Sequence, residues 1–269
     1  MNRLLLVAAL GMGLLSGCAT TPGGRSQLLL VSDSQMNQMG VAAFDQMKAN
    51  DKLSVVPAKS AYAQCIVDAL VAELPDEWRR LKWEAQAFAI AEPNAFALPG
   101  GKVGINTGLL RIATTQDQLA AVLAHEVAHV SYRHAGERVS QQQLAQTGLA
   151  LANAYAGRNA SPQQVNMLMA ALGAGVQVGV LLPFSRAHES EADLAGQALM
   201  ARAGFDPAAA VSLWQGMQQA SGSKGRPPQI LSTHPDPGQR IDALSANVAR
   251  MAPVVQQARA AGKRPACRG

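Results

Sequence analysis

The chain has 269 residues, enough for one large domain or two small ones around a sizeable core. Apolar residues make up 48% and charged residues 15%, the balance of an ordered globular protein rather than a disordered one. The formal net charge of +5 is scattered, with no interleaved aromatics, which argues against nucleic acid as a partner and stays compatible with an anionic membrane surface. Aromatics are scarce at 4% and alanine is plentiful, which favours closely packed helices.

Residues 1–15 combine one positive charge, Arg3, with an apolar run too short to span a bilayer. The run ends in Leu15-Ser16-Gly17-Cys18, which resembles the lipobox of bacterial lipoprotein signal peptides. On that reading residues 1–17 are a signal peptide and Cys18 is acylated as the mature N-terminus. Ala19 after the cysteine resembles the pattern of Gram-negative lipoproteins sent to the outer membrane. Residues 20–25 read as a flexible tether, within an anchoring stretch of 18–27. Cys65 and Cys267 are then left over. In an oxidising periplasm they can pair and pin the C-terminal tail to an early helix, but the sequence leaves open whether they meet.

Ser32 is a good N-cap for a helix over 33–47. A second helix is expected over 61–74, with Ile66, Val67, Leu70 and Val71 inward and Pro75 as its stop. Residues 83–90 alternate as a strand does. Pro93, Pro99 and Gly100-Gly101 divide 92–106 into turn, strand, turn and strand. The last strand, Lys102, Val103, Gly104, Ile105 and Asn106, is either an exposed edge that holds an extended peptide or an ordinary structural hairpin. Thr107 opens a short turn, and Thr114 or Thr115 caps a long helix to about His134, with Gly136 as its stop.

Residues 140–156 and a segment capped by Ser161 read as helical. The apolar stretch 167–182 reads as a buried helix or a flap over a cleft, with membrane contact as the lesser alternative. Helices follow over 184–203, closed by Gly204 and Pro207, and over 207–219. A loop at 221–229 and the run 233–240 lead to a last helix near 241–248. From Ala252 the tail looks weakly ordered. No internal repeat or interdomain linker is apparent, which leaves one domain over 28–250 and a tail over 251–269.

Chemistry concentrates at Leu119 to Val130, where every residue is Ala, Val or Leu except His125, Glu126 and His129. A helix this apolar belongs inside a protein, and burying those three side chains unsatisfied would cost several kcal/mol, on the order given for isolated polar groups. Residues four apart share a helix face, so both imidazoles can point at one divalent ion, with Glu126 beside it and in reach of a water. A catalytic zinc takes three protein ligands. One class of site places a third histidine six residues after His129, where this chain has Ala135. His134 would require the helix to break. Glu189 and Asp193, four apart, offer the alternative: one can ligate while the other accepts the N–H of a ligating imidazole. Glu191 falls off that face, and His188 takes no role.

Four separated stretches carry a family resemblance: His125-Glu126-Val127-Ala128-His129, NAFALPGG at 94–101 with GLL at 108–110, SRAHESEAD at 185–193, and STHP at 232–235 with Arg240-Ile241. Together they resemble the HtpX/CAAX-prenyl-protease family of gluzincins over about residues 28–244, and within it the periplasmic lipoprotein branch (BepA/LoiP-like). The resemblance implies an α+β, mostly helical zincin-type metallopeptidase domain with a small antiparallel sheet. It implies one Zn2+ held by His125, His129 and Glu189, with Asp193 behind them. The activity it implies is peptide-bond hydrolysis, with water activated by zinc and Glu126. Unfolded or misassembled envelope proteins would be the substrates, at the periplasmic face of the outer membrane. The rival reading is an assembly chaperone for outer-membrane proteins, associated with the assembly machinery, whose peptidase activity is latent. His234 either stabilises the oxyanion, takes the fourth ligand position and keeps the site off, or merely caps a helix. Arg240 either holds its loop, binds the Glu189 and Asp193 carboxylates, or binds a substrate carbonyl.

Overall fold

The computed structural model describes residues 18–50, 54–156, 161, 163, 167, 169–170, 182–222, 234 and 237–269. In chain order the elements are β1 (Cys18–Thr20), β2 (Ser26–Leu28), α1 (Asp33–Lys48), α2 (Pro57–Val71), α3 (Asp76–Arg79), β3 (Glu84–Phe88), β4 (Ala95–Leu98), β5 (Lys102–Asn106), a 3-10 turn (Thr107–Arg111), α4 (Gln116–Ser131), α5 (His134–Ala156), α6 (Leu182–Ala203), α7 (Ala208–Gly222) and α8 (Pro237–Ala260). They form two compact units, residues 36–132 with 189–269, and the described parts of 1–35 with 133–188. The reading of 167–182 as a buried helix or flap falls almost wholly outside the described residues, as do the segment capped by Ser161, most of the loop at 221–229 and residues 233, 235 and 236 of the run at 233–240.

The larger unit is a three-stranded sheet packed on helices. Its order is β3-β5-β4, with β5 parallel to β3 and antiparallel to β4. The small sheet of this α+β fold is therefore mixed rather than antiparallel throughout. The crossover through β4 returns the chain between its two partners, which places Lys102, Val103, Gly104, Ile105 and Asn106 in the centre. All five are buried and hydrogen-bonded on both sides, so β5 has no edge to offer a peptide and the expectation of a substrate-holding strand there is corrected. Gly104 shows why the centre is tight: a Cβ there would lie 2.1 Å from the Phe96 ring on β4. The outer side of β3 is covered by the segment at Val55 and Val56. β4 is the open edge among the described residues.

α2 packs on β3 and on α4, and α4 lies against β4 and α7. The core comprises Ile66, Leu70, Val103, Ile105, Leu119, Leu123, Met200, Phe205 and Leu213. Thr115 caps α4 with a full capping box, its side chain accepting from the Gln118 N–H. Helix α4 stops at Ser131, three residues before the expected end, because Arg133 takes a left-handed conformation (φ 57°). Gly136 then falls inside α5 rather than ending a helix. Gly204 closes α6 at φ 89°, with the Phe205 N–H bonded to the Met200 carbonyl.

The tail expected to be weakly ordered is instead built in. α8 runs to Ala260, twelve residues past the expected end. Beyond it, Lys263 pairs with Glu73, and Gln116 donates to the Pro265 carbonyl and accepts the Cys267 N–H. Cys65 and Cys267 form a disulfide across 202 residues, Cα atoms 5.8 Å apart.

In the smaller unit β1 and β2 form an antiparallel hairpin, so the expected tether is structured, with Thr21–Arg25 hydrogen bonds closing its turn. Arg25 grips Glu137 of α5 with both ends of its guanidinium at 2.7 Å, and His188 approaches the same carboxylate at 3.0 Å. His134 stacks on His188, ring centroids 4.4 Å apart. Burial works to raise the Glu137 carboxyl, but the Arg25 and His188 hydrogen bonds outweigh it and hold the pKa at about 2, down from 4.5. A depressed carboxyl stabilises the fold above its unfolded pKa, and that stability disappears as pH falls through the folded value. Glu137→Gln should therefore lower the melting temperature at pH 7, and its deficit against wild type should shrink below pH 4.5 and be gone only below pH 2.

Candidate metal centre

The capped, buried α4 carries His125 and His129 one turn apart, and their Nε2 atoms lie 3.0 Å from each other. α6 brings Glu189 across: Oε2 is 3.3 Å from His125 Nε2 and Oε1 is 3.5 Å from His129 Nε2. His234, just ahead of α8, adds Nδ1 at 3.2 Å from His125 Nε2 and 2.8 Å from Glu189 Oε2. These four residues form a group whose ligand atoms all lie within 4.8 Å of one another.

Three observations fit this group to a divalent cation. Donor atoms at zinc–nitrogen distances of 2.0–2.1 Å in a tetrahedron stand about 3.3 Å apart, close to the spacings seen. Asp193 Oδ1 lies 3.0 Å from His125 Nδ1, which places the imidazole proton there and turns the Nε2 lone pair toward the other donors. With neutral imidazoles, Glu126, Glu189 and Asp193 outnumber Arg240, the one buried guanidinium beside them among the described residues, so the group attracts positive charge, whether a metal ion or a proton on His125. Burial and Arg240 push the His125 pKa down, yet hydrogen bonds to Asp193 and Glu189 carry it up to about 9. Burial alone would raise the Glu189 carboxyl; His125 and His234 hold it far below the ordinary carboxylate range.

Glu126 stands beside the donors as the spacing predicts. Its Oε2 accepts the Ala97 N–H at 3.2 Å, while Oε1 is buried without a hydrogen bond among the described residues, 3.4 Å from His234 Nε2. The Ala97 N–H points off the outer edge of β4, so that open edge, and not β5, faces the site. Arg240 resolves in favour of the carboxylates: it binds Asp193 through two bonds of 2.6 Å and reaches Glu189 Oε2 at 3.1 Å. Burial works against the Asp193 charge, and Arg240 and His125 hold its carboxyl low. The guanidinium also lies 3.8 Å over the Trp214 ring. His134 and His188 lie outside the donor group, and Glu191 is half-buried. Ala97, Trp214 and Gly196 were not singled out by sequence, since none carries a titratable group.

Gly196 sets the approach of α6 to α4. A Cβ on it would lie 2.9 Å from the backbone nitrogen of His125 and 3.0 Å from the carbonyl carbon of Ala124. Those atoms are helix backbone and cannot give way cheaply. Gly196→Ala is expected to weaken metal affinity at least tenfold while circular dichroism stays helical, read by competition with a chromophoric chelator.

A helix bearing two histidines and a glutamate, completed by a glutamate on a second helix, is the metal centre of a zincin-type protein. The chain belongs to Peptidase family M48, whose model matches residues 57–248. It is 42% identical over 161 residues to the mitochondrial metalloendopeptidase OMA1 of Schizosaccharomyces pombe, covering 60% of this chain and 45% of that one. It is 32% identical over 232 residues to the beta-barrel assembly-enhancing protease of Yersinia pestis (86% and 47% covered) and 31% over 238 residues to that of Escherichia coli K12 (87% and 48%). The chain spans about half the length of these curated relatives. No helix among the described residues is long and apolar enough to cross a membrane.

Proposed function

We propose that the chain is a zinc-dependent endopeptidase. The observation that carries the reading is the meeting of His125, His129 and Glu189 from two separate helices, with the free Oε1 of Glu126 alongside. Zinc bound there would polarise the scissile carbonyl and lower the pKa of water toward 7. Glu126 takes the proton of the attacking water on Oε1 and delivers it to the leaving amine. Asp193 fixes the His125 tautomer, and Arg240 holds Asp193 and Glu189 in register. The peptide aligns by adding a strand to the open edge of β4, Ala95–Leu98. Metal analysis combined with casein hydrolysis, lost on chelation and restored by Zn2+, tests the reading; a protein that binds no metal and cleaves nothing contradicts it.

His234 supports a resting state that is closed. A catalytic zinc needs one position open, and His234 Nδ1, 3.2 Å from His125 Nε2 and 2.8 Å from Glu189 Oε2, would occupy a fourth one. Of the three roles open to it, this geometry favours the fourth ligand. His234→Ala should therefore raise casein hydrolysis severalfold; unchanged or abolished activity would contradict the closure. A closed site is also the observation that favours a chaperone-like role with latent peptidase activity, and two relatives are named as assembly-enhancing proteases. We infer unfolded or misassembled envelope proteins as substrates. Cys18, exposed at the start of β1, serves as the acylated anchor at the periplasmic face of the outer membrane.

A further inference from the structure

In the smaller unit, the first turns of α5 are held in place. Arg25 binds Glu137 at 2.7 Å, the Leu30 N–H donates to the Ser140 hydroxyl at 2.8 Å, and Ser140 and Gln141 are buried. From Gln142 to Tyr155 every side chain is exposed or half-buried, but the exposed ones are not all polar. Leu144, Gly148, Leu151 and Tyr155 recur at alternating spacings of four and three, which keeps them within about 60° of one another around a helix. Leu144, Leu151 and Tyr155 are 50%, 68% and 74% exposed. By the same geometry Gln142, Gln146 and Asn153 stand on the opposite face. A single exposed leucine is ordinary on a protein surface; three large apolar side chains on one narrow stripe mark a contact face.

The charge of the same unit narrows what the stripe would meet. From Arg138 to His188 the sequence carries three arginines and no acidic residue. The two acids elsewhere in the unit, Asp33 and Glu137, are each bound by an arginine, Arg133 at 3.0 Å and Arg25 at 2.7 Å. Arg138 and Arg186 are exposed. A surface of this kind attracts anionic lipid headgroups. Cys18 lies at the root of the stripe: it pairs with Leu28 across the hairpin, between the residues that hold Glu137 and Ser140, and it is exposed. Measured from Ser140, Leu144 stands about 6 Å and Tyr155 about 22 Å further along the helix axis.

We propose that the stripe of Leu144, Leu151 and Tyr155 rests in the headgroup region of an anionic lipid bilayer, with α5 lying in the interface rather than crossing it. Leu144 and Leu151 reach the acyl boundary, Tyr155 keeps its hydroxyl at headgroup level, and Gln142, Gln146 and Asn153 face water. The helix is then a second foothold beside Cys18, and two such contacts hold a protein on a membrane where one alone binds reversibly. The inference goes beyond the peptidase reading and does not depend on it.

The full chain is placed on vesicles of phosphatidylcholine and phosphatidylglycerol whose acyl chains are brominated, since bromine quenches only an indole that reaches the acyl boundary. Leu151→Trp and Gln146→Trp put reporters on the two faces of the same exposed stretch. Wild type, with Trp78 and Trp214 buried and Trp83 half-buried, sets the background. Fluorescence gained over wild type should fall at least about twofold on these vesicles for Leu151→Trp and stay unchanged for Gln146→Trp. Any anchor at Cys18 is common to both variants, so the difference reads the helix face alone. On phosphatidylcholine alone the loss for Leu151→Trp should be at most about half as large, because the arginines then have no anionic headgroup to meet. Equal quenching of the two reporters, or quenching of neither, overturns the proposal, and quenching of Leu151→Trp that ignores headgroup charge overturns its anionic part. Emission of Leu151→Trp already blue-shifted without lipid, in a chain that elutes as a dimer, would assign the stripe to a second copy and overturn the membrane contact.

Discussion

Glu126→Gln is expected to leave the metal in place and to cut peptide hydrolysis by about 10²–10⁴-fold, the usual contribution of a positioned general base. The amide keeps the size of the carboxylate and can still stand near the Ala97 N–H, so β4 and α4 stay where they are. What is lost is the proton-accepting capacity of Oε1, the buried oxygen with no hydrogen bond among the described residues. Metal content by mass spectrometry and initial rates on casein check both halves. The same variant separates the two functional readings in a cell that depends on the protein. A chaperone whose peptidase is idle should survive the substitution, and a protease should not.

His125→Ala and Glu189→Ala should each lose the metal and the activity together. Removing His125 takes away an Nε2 that lies within 3.0–3.3 Å of three other donor atoms and leaves Asp193 and Arg240 without their third partner. Removing Glu189 leaves a single guanidinium over Asp193 and deletes the only carboxylate among the four donors. Asp193→Asn should be milder, weakening metal affinity by about 10–100-fold, because it loosens the orientation of His125 without removing a ligand. That ordering, with the ligands worse than their support, is measurable by equilibrium dialysis. It would be reversed if Asp193 rather than Glu189 held the ion.

The chemistry was legible in the sequence because it follows helical spacing. His125 and His129, and separately Glu189 and Asp193, are four apart, and the apolar residues around the first pair put them inside. What the spacing left open was which acid faces which histidine. The structure puts Glu189 among the donors and Asp193 on Nδ1 of His125. Sheet order was not legible. Residues 83–106 show three strands in sequence, but nothing local says that β5 inserts between β3 and β4, so the outward edge was assigned to the wrong member of the hairpin. The order of the tail is not legible in the sequence for a related reason. Residues 252–269 offer little apolar surface beyond Val255 and Ala258, and much of what orders them lies far away in the chain, at Cys65, Glu73 and Gln116. Helix α4 ends on a left-handed arginine, a conformation that arginine seldom adopts and that no local pattern predicts. Arg240 was recognisable only as one of several candidates; its grip on two carboxylates and its stack on Trp214 depend on α6, α7 and α8 meeting.

Anomalous scattering from a crystal of the zinc-loaded protein, measured at the zinc edge, bears most directly on this account. It predicts a single peak about 2.0–2.1 Å from the Nε2 atoms of His125 and His129 and from a Glu189 oxygen. A peak elsewhere, or one bound to the histidines with Glu189 turned away, would contradict it.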